Sequence, residues 1–512
     1  MRVPLLTTDF LDRAATVYAD RVGVIDEPDC ADNLGDLTYG EVARRARALQ
    51  AGLDEMGIEA GERVAVVSPN AGRLLELFYA VPSSGRVLVP INFRLRSEEV
   101  EYIVDHCGAS VLLVDPTLDD DLGTVTAKHR LLLGEQSDEA LLRFDREPAP
   151  WADPDEDATA TINYTSGTTA RPKGVQITHR NIWVNAVTFG LHAGISDWDR
   201  YLHTLPMFHC NGWGMLYTTA ALGVPQVVLR KVDGPEILRR VERHGVTFMC
   251  AAPAVVNAVL DAGKEWDGPV PGTGRETRVI CAGAPPPTKT IERIETELGW
   301  EFIQIYGLTE TSPLLTINRR RREWADLPID QAAQKLVRAG APAVGVRLQE
   351  SEAGEVLARS NVVLQGYWQQ PEATADALEG GWFHTGDGGS MDDEGYLTIS
   401  DRKKDVIITG GENVSSIEVE DCIYGLDGVA ECAVIGVPHE KWGETIKAIV
   451  VAAPGASIDE AAVIAHCKAK IAGYKAPTSV DLVEAIPRTA TGKVQKFKLR
   501  EPHWTGRDRQ VN

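Results

Sequence analysis

A chain of 512 residues with 44% hydrophobic and 25% charged side chains has the make-up of a soluble globular protein, too long for one core, so three or four compact units are expected. A formal charge of -22 argues against nucleic acid as a partner, because a phosphate backbone needs a basic face. No apolar run approaches the roughly 18 residues that span a bilayer, which excludes a membrane-embedded chain. The start, "MRVPLLTTDFLDRAATVYADR", is broken by Pro4, Asp9 and Asp12 and carries no signal-peptide core, and the end, "RDRQVN", is no peroxisomal address. Eight cysteines without a CxxC pair disfavour a zinc cluster and a disulfide framework; reduced thiols and a cytoplasmic location are expected.

In chain order, "LTYGEVARRARALQAGLDEMG" opens with a capping box, Thr38 and Glu41, and repeats apolar residues at Val42, Ala46, Leu49, Leu53 and Met56, the spacing of a helix. "RVAVVS", "RVLVPI" and "ASVLLVD" follow as short strands separated by helical stretches, the rhythm of βαβ units on a parallel sheet. The rhythm resumes with "VTFMCAAP", "RVICAGA" and "EFIQIYG", and between the last two Ile291, Ile294 and Leu298 mark a helix face that Gly299 ends. Three strands run straight into Gly- or hydroxyl-rich turns, "ATINYTSGTT", "VICAGAPP" and "IQIYGLTET". Ligands of open parallel sheets bind beyond the carboxyl ends of strands, so one composite site is expected there. Residues 318–400 shift to short strands and turns, read as a small β-barrel or distorted sheet. "SDRKKD" then separates them from a final α+β segment. The expected architecture is α/β: a large lobe of doubly wound βαβ subdomains with the barrel-like part (1–400), hinged to a small α+β lobe (401–512).

The stretch "YTSGTTARPKGV", residues 164–175, packs three threonines and a serine around Gly167, with a second glycine at 174. A Walker A loop needs the lysine directly after the final glycine and then Ser or Thr. Here Lys173 precedes Gly174 and no hydroxyl follows, so a P-loop kinase or motor is disfavoured. Main-chain amides and the hydroxyls of Thr165, Ser166, Thr168 and Thr169 can still wrap an anion, with Gly167 at the sharp turn and Lys173 as a flexible charge. Between His466 and Arg509 ten Lys or Arg stand against four Asp or Glu; this reads either as a solvated helical tail or as a lobe that meets an anionic ligand.

The loop resembles the signature of the adenylate-forming (AMP-binding) superfamily, with Ala170 where glycine is usual, and further motifs stand in that superfamily's order: "CAGAPPP", "YGLTET", "HTGD", "DRKKDVIITGGEN" and "PRTATGK". The resemblance implies attack of a carboxylate on the α-phosphate of ATP, giving an acyl-adenylate and pyrophosphate. It assigns Glu310 to Mg²⁺, Thr309 to a phosphate hydrogen bond, Tyr306, Gly283, Ala284 and Pro285 to the adenine, and Gly307 to the ATP/AMP site. Asp387 and Arg402 are assigned to the ribose, and Lys493 to the bridge between attacking carboxylate and α-phosphate. Lys404 maps to the hinge of a swinging small lobe, and Gly410 and Gly411 to the passage of pantetheine. Without the resemblance, Glu310 reads equally as a helix-start carboxylate, Tyr306 more readily as a core aromatic, Asp387 as a turn aspartate and Lys493 as one exposed lysine among many.

In "LPMFHCNGW" His209 follows Phe208 where amino-acid-activating relatives carry aspartate, so an α-amino acid is disfavoured. That string, with "GGENVSSIEVE" and "HEKWGE", most resembles short- and medium-chain acyl-CoA synthetases. His209 and Trp213 are then expected in the acyl pocket, Trp213 reading equally as core packing. CoA is the expected acceptor, with the phosphopantetheine of an acyl carrier protein as the alternative. A light-emitting oxygenase or a non-catalytic binder on the same fold is the reading from a different class; the binder is disfavoured because Lys493, Glu310 and Asp387 are all present.

Overall fold

The computed structural model describes residues 1–28, 30, 33–165, 171–284, 286–402, 405–409, 412–439, 442–489 and 494–504, with backbone only at Asp401, Arg402 and Asn413. Two mixed sheets build the large lobe. The first has seven strands in the order Gly366–Tyr367, Lys173–Thr178, Thr159–Thr165, Val87–Ile91, Arg63–Val67, Ala109–Val114, His129–Leu132. Its last five strands run parallel, and the first two are antiparallel additions at one edge. The second has nine strands, with Phe248–Ala251, Arg278–Cys281 and Glu301–Gly307 parallel neighbours and Leu314–Arg319 returning antiparallel beside the last. Continuous apolar runs suit strands covered on both faces: every residue of Val87–Ile91 and of Phe248–Ala251 is buried.

Helices fill the space between the sheets. Gly72–Ser83 is apolar nearly all round, with Leu74 through Pro82 buried, as befits a helix between two layers. Tyr39–Glu55 begins at the expected capping box, in which Thr38 Oγ1 accepts from the Glu41 amide and Glu41 accepts from the Thr38 amide. One core cluster joins Val64, Val66 and Leu88 of the first sheet to Tyr201, Phe248, Ile280 and Ile303 of the second. Ile291, Ile294 and Leu298 are buried as the spacing predicts, although the last turn, Ile294–Leu298, widens to π geometry before Gly299 ends it at φ 68°.

The segment read as a small barrel or distorted sheet is a four-stranded antiparallel sheet, Arg347–Glu350, Glu355–Arg359, Phe383–Met391 and Leu397–Arg402. Its other short strands join the larger sheets: Ala341–Pro342 extends the nine-stranded one and Gly366–Tyr367 the seven-stranded one. The small lobe's sheet pairs Glu412–Val414, Ile407–Thr409, Gly443–Ala452 and Val429–His439, with Ser479–Leu482 parallel to Gly443–Ala452. Helices Ser416–Tyr424 and Glu460–Lys470 cover one face, and Leu499 of Lys496–Trp504 packs on the other. Large-lobe pairing runs through Arg402, and small-lobe pairing begins at Ile407. The lobes touch where Asp421 of Ser416–Tyr424 accepts from the amide (2.8 Å) and hydroxyl (3.2 Å) of Thr288.

Candidate active site

The strand Thr159–Thr165 enters the hydroxyl-rich loop and the chain returns as Lys173–Thr178, with Thr165 opposite Lys173 and Tyr164 opposite Gly174. Pairing therefore fixes Lys173 at the loop's exit. A Cβ on Gly174 would lie 2.9 Å from Ile162 and 3.1 Å from the Tyr164 ring, so the strand passes where only glycine fits. The Tyr164 hydroxyl is 2.7 Å from His106 Nδ1, which pins the ring beneath the loop.

Glu301–Gly307 ends in a tight 3-10 turn, Thr309–Thr311, that presents Glu310. Gly307 is obligatory here, because a Cβ would sit 1.6 Å from the Pro313 carbonyl oxygen. Thr309 is buried, and its carbonyl accepts from the Cys210 thiol at 3.9 Å. Burial, with a smaller contribution from the charge of Glu310, pushes the Cys210 thiol far above its ordinary pKa and keeps it a neutral donor.

A residue the sequence reading passed over joins these pieces. The Tyr367 hydroxyl donates to Glu310 Oε1 at 3.1 Å, and Lys173 Nζ lies 4.8 Å from the centre of the Tyr367 ring. Burial and then the Glu310 carboxylate raise the Tyr367 pKa, so the phenol stays protonated as a donor. Main-chain bonds seat it: Leu364 N donates to the Glu310 carbonyl (2.8 Å), Gln365 N to Gln176 O (3.0 Å) and Trp368 N to Gly174 O (2.8 Å).

On the other side, the Tyr306 hydroxyl donates to Asp387 Oδ2 at 2.8 Å, bringing together two residues from separate motifs. Asp387 is buried, and strand pairing sets Arg402 directly opposite it. Gly283 adopts φ 93° at the end of Arg278–Cys281, with open space where a side chain would stand and Ala284 half-buried beside it. Ser166, Gly167, Thr168, Thr169, Pro285, Lys404, Gly410, Gly411 and Lys493 lie outside the described residues, as does the side chain of Arg402.

His209 is half-buried and Trp213 is in the main core cluster at 5% exposure. Between them runs a left-handed turn: Cys210, Asn211, Gly212, Trp213 and Gly214 have φ of 44, 52, 55, 59 and 77°. Non-glycine residues cost roughly 1–2 kcal/mol each in this region. A buried polar triad offsets that cost, with Asn211 Nδ2 donating to Thr161 Oγ1 (2.9 Å), Asn163 Nδ2 to Asn211 Oδ1 (3.1 Å) and Thr161 Oγ1 to Asn163 Oδ1 (2.9 Å). Thr161 and Asn163 were the available signal, as polar residues alternating with Ala160 and Ile162 along the strand.

These loops leave the carboxyl ends of strands from two sheets. Two family models match the chain, "AMP-binding enzyme" over residues 11–368 and "AMP-binding enzyme C-terminal domain" over residues 418–493. The chain belongs to this adenylate-forming family, in its acyl-CoA ligase branch. Among its relatives is "Probable acyl-activating enzyme 5, peroxisomal" of Arabidopsis thaliana, 36% identical and covering 97% of this chain and 96% of that one. A 2-methylpropanoate–CoA ligase of Humulus lupulus is also 36% identical, over 97% of this chain and 95% of its own. ATP-bound MatB of Rhodopseudomonas palustris shares the fold with a TM-score of 0.83 at 28% identity, over 97% of this chain and 98% of that one. The activity is ATP-dependent activation of a carboxylic acid followed by formation of its CoA thioester; loading of a carrier protein is not favoured.

Proposed function

We propose that this enzyme activates a short- or medium-chain carboxylic acid without an α-amino group, using Lys173, Thr165 and the loop 166–169 to hold the leaving pyrophosphate. The supporting observation is that Lys173 and Glu310, far apart in sequence, both contact one tyrosine, Tyr367. Two anions must meet for the acid to attack the α-phosphorus; Lys173 supplies positive charge, and Glu310 a carboxylate through which a metal cation could supply more. Glu310 fits Mg²⁺, which takes one or two carboxylates together with substrate phosphate oxygens. Bound there, the ion would neutralise charge on the phosphates. Thr309 is assigned a phosphate oxygen, Asp387 and Arg402 the ribose, and Tyr306, Gly307 and 283–285 the adenine. Lys493 carries the first half-reaction, in which a carboxylate oxygen bonds to the α-phosphorus and pyrophosphate leaves. In the second, the CoA thiol sulfur bonds to the acyl carbon and AMP leaves, after the small lobe turns about Lys404 and pantetheine passes Gly410 and Gly411.

The 2-methylpropanoate specificity in a relative's name and the place of His209 where amino-acid activators carry aspartate support a small, uncharged acyl chain beside His209 and Trp213. A cytoplasmic location belongs to the same proposal, supported by free thiols at every cysteine. Among the described residues no helix is long and apolar enough to cross a membrane. A pyrophosphate-release screen from acetate to dodecanoate, with branched acids and amino acids included, tests the reading. Release peaking on short or medium acids, with thioester formed on CoA, is expected; release confined to amino acids refutes it.

A further inference from the structure

We infer that Glu355 is a positioning residue for the ribose end of the nucleotide: its buried carboxylate braces an arch in the strand that carries Asp387 and so sets how that aspartate is offered. The inference rests on the ribose role proposed for Asp387.

Strand pairing makes the arch. Glu355 stands opposite Gly388, and Leu357, two residues on, stands opposite His384. Between those pairs Val356 alone faces Thr385, Gly386 and Asp387, so the strand Phe383–Met391 bows outward there. A bulge of this kind re-aims a side chain and interrupts the ladder, leaving backbone groups to find other partners. The Glu355 carboxylate supplies one: Oε1 accepts from the Gly386 amide at 2.9 Å, while Oε2 lies 3.3 Å from His384 Nδ1. Gly386 itself adopts φ 73°, the conformation that lets the chain turn back into the sheet. Thr385 Oγ1 donates to the Val356 carbonyl (2.7 Å) and accepts from the Asp387 amide (3.2 Å), which closes the arch from its other side. Glu355 is 7% exposed, and a buried carboxylate takes its orientation from protein donors. Its backbone is fixed as well, with the Glu355 amide donating to Ser351 Oγ (3.0 Å) and its carbonyl accepting from the Ser351 amide (2.9 Å). Asp387 is thus held twice: Glu355 fixes the peptide before it, and Tyr306 fixes its Oδ2 at 2.8 Å. An aspartate that serves two neighbouring ribose hydroxyls must present both oxygens in one plane, so a small rotation of that peptide is felt at the ribose before it is felt at the base.

The test is calorimetric binding of AMP and of 2′,3′-dideoxy-AMP, which lacks both ribose hydroxyls, to the full-length wild type and its variants. The readout is the ratio of the two affinities, because a smaller folded fraction scales both alike and leaves the ratio unmoved. Glu355→Asp keeps the charge and draws the oxygens back by one methylene; Glu355→Met keeps the bulk and removes the acceptors. In each, AMP affinity is expected to fall about fivefold to tenfold, the range of a hydrogen bond to a charged group, with dideoxy-AMP affinity held within about twofold. Glu355→Gln, whose amide oxygen can still accept from the Gly386 amide, is expected to keep the ratio within about twofold of wild type. A wild-type ratio in Glu355→Asp or Glu355→Met, or an equal loss of both ligands, overturns the inference. Asp387→Ala separates the two failures: if it too keeps the wild-type ratio, the ribose reading fails, whereas a ratio lost there and intact in Glu355→Asp strikes the inference alone.

Discussion

Tyr306→Phe keeps the ring against the adenine position and removes only the hydroxyl, which donates to Asp387 Oδ2 at 2.8 Å. Asp387 is 6% exposed, so its carboxylate depends on protein donors for orientation. A hydrogen bond from a neutral donor to a charged acceptor contributes about 1.5–3 kcal/mol, and the half-buried Tyr306 puts this one near the lower end. About 1.5 kcal/mol is a factor of roughly ten in a dissociation constant. Calorimetric titration with AMP should therefore show about tenfold weaker binding in Tyr306→Phe. Asp387→Ala should lose more than that, because the ribose hydroxyls then lose their acceptor. If Tyr306→Phe binds AMP within twofold of wild type while Asp387→Ala does not, the phenol does not hold the carboxylate. If both bind as wild type, the pair is not at the nucleotide.

Asn211→Ala removes the hub of the triad with Thr161 and Asn163 while leaving the residue at φ 52°, and is expected to destabilise the protein by about 2–4 kcal/mol, read from denaturant unfolding. Gly174→Ala drives a Cβ to 2.9 Å from Ile162 and 3.3 Å from Trp368, so a loss of about 1–3 kcal/mol and a severalfold rise in the KM for ATP are expected together. Burial lowers the pKa of His179 and of His203 from 6.5 to about 4. Below pH 6.5 the unfolded chain takes up protons that the folded chain refuses until about pH 4, so stability present above that window is lost across it, by up to about 3 kcal/mol per histidine. A melting temperature that stays flat from pH 7 to 4 contradicts this.

The elements legible in the sequence were those whose signal is local. The Thr38–Glu41 box, the buried run of Val87–Ile91 and the break at Gly299 each act within a few residues, and each is found where periodicity and capping put it. Edge strands were less legible, because what makes Gly366–Tyr367 a strand is its partner nearly two hundred residues earlier, not its own composition. The same limit hid Tyr367: a tyrosine beside glycine and tryptophan carries no mark of a contact with both Lys173 and Glu310. The left-handed turn was half visible. Asn211, Gly212 and Gly214 tolerate positive φ, but Cys210 and Trp213 do not advertise it, and they adopt it only because the turn is anchored to a neighbouring strand.

The contact between Asp421 and Thr288 makes the small lobe a part of the large lobe's secondary structure. The helix starting at Thr288 has no side-chain cap of its own, since Pro287 precedes it, and the Asp421 carboxylate takes that role from across the lobe boundary. This helix leads directly out of the 281–287 loop assigned to adenine. Undocking of the small lobe would therefore leave the first turn of a large-lobe helix without its carboxylate cap.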